Sequence, residues 1–289
     1  MKQIECPLCG PTTGETVLEI NRPDRFERAA GIPIKDYHRE WIACDGCGLL
    51  IDCYDRKDIS YLYNDQYYSA EIEKESVSER FSRILALPPK RSDNHYRVQR
   101  ILSFLTDFYS TYSHVIPADL NKRILDIGSG TGIFLYRFLE NAPDWNASAV
   151  EPNHYACEHL RTLEKFMVIE NYFSTSVVEE SQELITLNKV LEHIQDPVDL
   201  LRNVKDCLSD YGLIYVEVPD KQTARYREPD DNILGSLHFY LFDPATLCLL
   251  FKKSQLVPLA VQRYVEPSGK ITVCGFAVTE DFFRRLCGG

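Results

Sequence analysis

Arg123-Ile124-Leu125-Asp126-Ile127-Gly128-Ser129-Gly130-Thr131-Gly132-Ile133-Phe134 is the stretch on which the fold turns. An apolar run of strand length meets three alternate glycines, and an apolar-periodic helix starts at Ile133. Strand, glycine turn and helix together aim backbone N–H groups and a helix N-terminus at a ligand. The next strand, Ala147 to Val150, ends in Glu151, 23 residues beyond Gly128. A carboxylate at that distance suits the two hydroxyls of a ribose. These features alone admit a nicotinamide dinucleotide or another adenosine cofactor. The turn reads Gly128-x-Gly130-x-Gly132 with Asp126 just before it. An acidic side chain there is awkward beside a pyrophosphate. It suits a ligand with an ammonium group, such as the methionine part of S-adenosylmethionine.

Alternation of strand and helix continues downstream. Glu183 to Asn188 reads as a buried strand, and Lys189-Val190-Leu191-Glu192-His193-Ile194-Gln195 follows it. Asp196 caps a helix with Pro197 at its first position and Val198, Leu201, Val204 and Leu208 on its apolar stripe. Gly212 is expected to stop that helix and Leu213 to Val218 to form the next strand. A helix over Pro244 to Lys252 and strands over Leu256 to Arg263 and Lys270 to Val278 complete the pattern. Upstream, Arg97 to Tyr112 reads as a helix. A tyrosine-rich run, Tyr61 to Ser69, suits either a packed linker or a lid over a small-molecule site.

The chain has 289 residues and 10 cysteines, four of them in Cys6-Pro7-Leu8-Cys9-Gly10 and Cys44-Asp45-Gly46-Cys47-Gly48. Two such turns supply four sulfurs, a closed tetrahedral set suited to structural zinc. The 34 residues between Cys9 and Cys44 must carry structure of their own. Glu15 to Ile20 alternates like a strand, and Arg39 to Ala43 with Leu49 to Asp52 reads as a hairpin.

The net charge is −11 and 44% of residues are hydrophobic. This excludes a disordered chain and argues against a protein that coats nucleic-acid phosphates. No apolar run approaches the length of a membrane span, and Met1 to Cys6 holds no signal segment. The expectation is a soluble, cytoplasmic protein.

Arg123 to Phe134, Ala149-Val150-Glu151-Pro152-Asn153 and Asn188 to Pro197 together resemble a class I S-adenosylmethionine-dependent methyltransferase. The paired cysteine turns followed by Cys-Gly-Leu and the tyrosine-rich run resemble a bacterial subgroup with an N-terminal zinc-binding domain. That subgroup includes sugar methyltransferases acting on nucleotide-linked deoxysugars. The resemblance implies an α/β, Rossmann-like fold, a seven-stranded sheet with the last strand antiparallel, preceded by a small zinc-binding domain. It implies a division into 1–56 (zinc-binding), 57–116 (helical, Tyr-rich linker and lid) and 117–289 (cofactor-binding). Asp126, Gly128, Gly130, Glu151 and Asn188 are the expected cofactor residues, and Cys6, Cys9, Cys44 and Cys47 the expected zinc ligands.

His238 and His193 are the candidate bases. The sugar C-methyltransferases carry a Glu-His pair where this chain has Leu237-His238. Without the carboxylate His238 is a weaker base toward carbon, which shifts the expectation to O-methylation. Lys221, Arg225 and Arg227 suit either a clamp on an acidic substrate or a solvated loop. The expected acceptor is a nucleotide-linked sugar or glycan precursor. The rival readings are a nicotinamide oxidoreductase and a non-catalytic zinc- and cofactor-binding module.

Overall fold

The computed structural model describes residues 1–29, 31–35, 37–54, 75–228 and 231–288. The tyrosine-rich run and the first part of the expected linker and lid lie outside these residues. Twelve strands are seen among the described residues: β1 (Lys2–Cys6), β2 (Gly10–Ile20), β3 (Arg39–Cys44), β4 (Leu50–Cys53), β5 (Arg123–Ile127), β6 (Asn146–Glu151), β7 (Met167–Glu170), β8 (Gln182–Asn188), β9 (Leu208–Pro219), β10 (Tyr240–Leu241), β11 (Leu256–Val265) and β12 (Ile271–Thr279). Seven form one sheet in the order β11-β12-β9-β8-β5-β6-β7. β9, β8, β5, β6 and β7 run parallel, while β12, the last in sequence, pairs antiparallel with both β9 and β11. This is the mixed sheet of a Rossmann-like methyltransferase fold.

The central strands are apolar on both faces because helices cover both. Ile124 and Leu184 pack with Val98, Ile101, Phe134 and Phe138, from the helices Asp93–Thr111 and Ile133–Asn141. Leu125, Ile127, Ile185 and Leu187 pack on the opposite face with Val198, Leu201, Leu247 and Leu250, from the helices Pro197–Lys205 and Pro244–Lys253. The expected cap is present: Asp196 accepts from the Asp199 N–H at 2.9 Å, with Pro197 at the first helical position.

Gly212 does not stop this helix. The helix closes at Lys205, and β9 already pairs with Gln182 at Leu208. Gly212 lies inside β9 at a register shift, where a Cβ would come within 2.7 Å of the Gln182 carbonyl oxygen. Close backbone approach requires glycine there, and no helix end does.

The remaining strands form a second sheet, β1-β2-β3-β4-β10. Its last strand comes from far along the chain: Tyr240 pairs with Ile51 and Leu241 with Leu50. Cys6, Leu8, Cys44 and Leu49 belong to the same buried cluster as Leu187, Val216 and Val218 of the large sheet. Arg39 of β3 is buried, donating to Asp52 at 2.7 Å, to the Leu234 carbonyl at 2.7 Å and to the Tyr37 hydroxyl at 3.1 Å. No helix among the described residues is long and apolar enough to cross a membrane.

Gly132 tests the glycine turn. Its φ is +73°, and a Cβ would lie 2.4 Å from Leu160 Cδ2. Left-handed backbone costs a non-glycine residue about 1–2 kcal/mol, and overpacking a core adds about 1–3 kcal/mol. Gly132→Ala is expected to lower stability by the sum of these two costs in urea denaturation. An unchanged midpoint would contradict this packing.

Candidate active site

The glycine turn closes over the ends of β5 and β6. Gly128 N–H donates to the Val150 carbonyl at 2.8 Å, and Gly132 N–H donates to the Ser129 carbonyl at 2.9 Å. Asp126 is buried at the end of β5. Its Oδ1 accepts from Thr186 Oγ1 at 2.6 Å and from Asn188 Nδ2 at 2.9 Å. Burial pushes the Asp126 carboxyl up to about 6, against the pull of those two donors. Asn188 Oδ1 is buried with no hydrogen-bond partner among the described residues. Buried polar atoms are seldom left so, and ligand sites are among the explanations.

Glu151 stands at the end of β6. Its Oε2 accepts from Gly130 N–H at 2.8 Å and its Oε1 from Asn153 N–H at 3.0 Å. Burial raises its pKa, opposed by these two N–H groups. Of the five residues expected to hold the cofactor, four lie in two direct contacts, Asp126 with Asn188 and Gly130 with Glu151, while Gly128 bonds Val150.

The residue after Asn188 has a different setting. Lys189 has a φ of +62° and lines a cavity of about 960 Å³, together with Glu192, His193, Leu237 and His238. Arg22, Arg28, Asp24 and Asp231 also line it. Asp24 accepts from the Ser236 N–H at 2.6 Å, which holds the 22–28 segment against the loop bearing His238.

The two histidines, 45 positions apart in sequence, meet here with ring centroids 4.5 Å apart at 71°. His193 Nδ1 lies 3.0 Å from the Leu237 carbonyl and His238 Nδ1 lies 2.7 Å from the Ile233 carbonyl. Each Nδ1 must carry the hydrogen to bond a carbonyl, which makes each Nε2 the lone-pair nitrogen of the neutral ring. Burial, then the neighbouring His193, holds the His238 pKa well below its ordinary value. Both effects favour the neutral imidazole. Leu237 departs from the sugar C-methyltransferase pattern, and its buried side chain offers no carboxylate. Its backbone carbonyl instead orients His193.

An ion network beside the cavity was not legible in the sequence. Arg97 donates Nε to Glu217 at 2.9 Å and closes a second bond through Nη2. Arg100 reaches Glu217 at 3.1 Å and Glu266 at 2.8 Å, and Tyr215 OH donates to Glu217 at 3.0 Å. Lys189 Nζ lies 3.6 Å from Glu217 and donates to Thr272 Oγ1 at 3.0 Å. Burial alone would raise the Glu217 carboxyl, but Arg97, Lys189 and Arg100 hold it far below the usual carboxylate range. The signal was a single charge inside the otherwise apolar run Leu213 to Val218. Lys221 donates to the Gly48 carbonyl at 2.9 Å and pairs with Asp243 at 2.6 Å, tying the second cysteine turn to the cap of the helix Pro244–Lys253. Arg227 faces Asp231 at 3.7 Å.

The sulfurs of Cys6, Cys9, Cys44 and Cys47 all lie within 4.8 Å of one another, and Cys6 Sγ is 3.7 Å from Cys47 Sγ. Tetrahedral zinc–sulfur bonds of about 2.3 Å place sulfurs at close to that separation. With protons alone the set is divided. The Cys47 thiol pulls the Cys6 thiol down to about 5, while burial raises Cys9 to about 11 and the contact with Cys6 raises Cys47. A dication removes that conflict by favouring four thiolates, so these residues fit a closed metal site.

A family profile described as a methyltransferase domain matches residues 91–261. The chain belongs to this methyltransferase family. The matched span holds the large sheet from β5 into the first part of β11, with the glycine turn and both histidines. A ubiquinone biosynthesis O-methyltransferase of Glaesserella parasuis serovar 5 (strain SH0165) is 24% identical over 116 residues, 36% of this chain and 48% of the relative. The match thus spans about half the length of that relative. Among solved structures, the magnesium protoporphyrin IX methyltransferase of Synechocystis PCC 6803 with bound SAH aligns with a TM-score of 0.52 at 8% identity, covering 70% of this chain and 94% of that one. An S-adenosylmethionine-dependent methyltransferase from Aquifex aeolicus aligns with a TM-score of 0.47 at 12% identity, covering 69% and 96%. The likeness at 8% identity is a likeness of methyltransferase fold.

Proposed function

We propose that this methyltransferase domain transfers the methyl group of S-adenosylmethionine to an oxygen of a small polar acceptor, a nucleotide-linked sugar or glycan precursor. The observation that carries the reading is the geometry at the end of β8. Asn188 turns to Asp126 and the glycine turn, while Lys189, the next residue, faces the cavity with the two histidines. Cofactor and acceptor would thus meet across one strand end, as ligands do in open α/β sheets.

S-adenosylmethionine supplies an electrophilic methyl group. Asp126 and Asn188 would hold its amine-bearing part, Gly128 and Gly130 would admit it closely, and Glu151 would accept from the ribose hydroxyls. His238 Nε2, or His193 Nε2, would accept the acceptor's hydroxyl proton as the new O–C bond forms and the sulfur takes back its electron pair. Alignment and exclusion of water supply most of the rest. Cys6, Cys9, Cys44 and Cys47 would hold a structural zinc with no open position. In this reading 1–56 is the zinc-binding part, 57–116 the linker and lid, and 117–289 the cofactor-binding part. In this reading the cytoplasm supplies the donor, and the partner is a small molecule, not nucleic acid.

Two outcomes test the assignment. Glu151→Ala is expected to weaken S-adenosylmethionine binding by about 1–3 kcal/mol, the cost of lost charge-assisted hydrogen bonds; unaltered affinity in calorimetry would remove Glu151 from the ribose site. A screen of nucleotide sugars with isotope-labelled donor is expected to yield one methylated product. In it, His238→Ala should lower turnover about 10²–10⁴-fold, the usual share of a general base. A label that survives ether cleavage on the carbon skeleton would overturn O-methylation, and full turnover by His238→Ala would move the base to His193.

A further inference from the structure

Glu192 is almost wholly buried, and its Oε2 has no hydrogen-bond partner among the described residues. A buried carboxylate oxygen left so is costly unless something positive meets it. Its carboxylate, one nitrogen of His193 and one of His238 lie within 4.8 Å of one another on the cavity wall. Both rings spend Nδ1 on backbone carbonyls, of Leu237 and Ile233. Metal-bound imidazoles are commonly oriented by such a bond from the other ring nitrogen. Of the cations lining the cavity, Lys189 is held by Thr272 and Glu217 and Arg39 by Asp52.

We propose that Glu192, His193 and His238 form a second metal site, for one borderline divalent cation bound through the two Nε2 atoms and the Glu192 carboxylate. Two imidazoles and one carboxylate suit such an ion and leave coordination positions open toward the cavity. The Cys6 cluster differs in kind, having four sulfurs and no position to spare. Ligation and proton acceptance draw on the same Nε2 lone pairs. A bound cation and the base role proposed for His238 therefore exclude each other, and the cation would compete with proton transfer. The site depends on the structure's side-chain geometry and not on the identity of the acceptor.

The test titrates Co²⁺ into the 289-residue protein already loaded with zinc, followed by calorimetry and visible absorption. One equivalent of cobalt should bind, with the weak d–d bands of nitrogen and oxygen ligands and no sulfur charge-transfer band. His193→Asn, His238→Asn and Glu192→Gln should each weaken it about tenfold or more, with zinc content unchanged. S-adenosylmethionine should still raise the melting temperature of each variant, which separates ligand loss from misfolding. No cobalt binding, binding equal in all three variants, or sulfur charge-transfer bands would overturn the proposal. Failure of the acceptor screen, by contrast, would bear on methyl transfer and leave the cobalt result standing.

Discussion

Removing the metal proposed for the four-cysteine cluster is expected to lower the stability of the small sheet more than any single side-chain change elsewhere. Structural zinc contributes about 10–16 kcal/mol of apparent binding free energy in small zinc domains, where binding and folding are one process. Cys6 and Cys44 are buried with Leu8 and Leu49 in the cluster that also holds Leu187 and Val218. Damage therefore spreads along two routes. β4 pairs with Tyr240–Leu241, just past His238, and Arg39 holds the Leu234 carbonyl on the same loop. Cys44→Ser should release zinc, lower the melting temperature and abolish acceptor turnover. S-adenosylmethionine binding should largely survive, because β5, β6 and the glycine turn lie in the other sheet. Elemental analysis of purified wild-type protein should give about one zinc per chain. A Cys44→Ser variant with the same zinc content and melting temperature would contradict this account.

The second large effect concerns Glu217. Its carboxylate answers Arg97 and Arg100 and lies 3.6 Å from Lys189 Nζ. The Arg97 and Arg100 side chains are themselves mostly buried. Removing the shared anion leaves cations facing each other with little water. Breaking one partner of a buried ion pair costs about 3–5 kcal/mol. Glu217→Ala should lose that much in urea denaturation. Arg97→Met should lose less, since Arg100 and Lys189 remain to answer Glu217. A Glu217→Ala variant as stable as wild type would mean that the network is solvated and carries no weight.

The parts legible in the sequence are those set by short-range chemistry. The glycine turn, the Asp196 cap, the cysteine spacing and the carboxylate ending β6 all state their geometry within a few residues. Seven-strand topology followed from the strand–helix alternation joined to the family resemblance. What stayed hidden is non-local. Nothing near Tyr240 announces that it completes a sheet begun at Lys2, because that pairing depends on Arg39, Lys221 and Asp24 holding distant loops together. The approach of His193 to His238 is of the same kind. Gly212 misled because a glycine that ends a helix and one that admits a close backbone read alike in sequence. Leu237 was legible as a lost carboxylate, whereas its carbonyl's hold on His193 was not.

The most direct measurement is a calorimetric titration of the purified protein with S-adenosylmethionine, its demethylated product and NADH in turn. The account predicts one binding site per chain for each of the first two ligands and no comparable heat from NADH. Binding of NADH with no response to either sulfur ligand would contradict the methyltransferase reading of the glycine turn, Asp126 and Glu151.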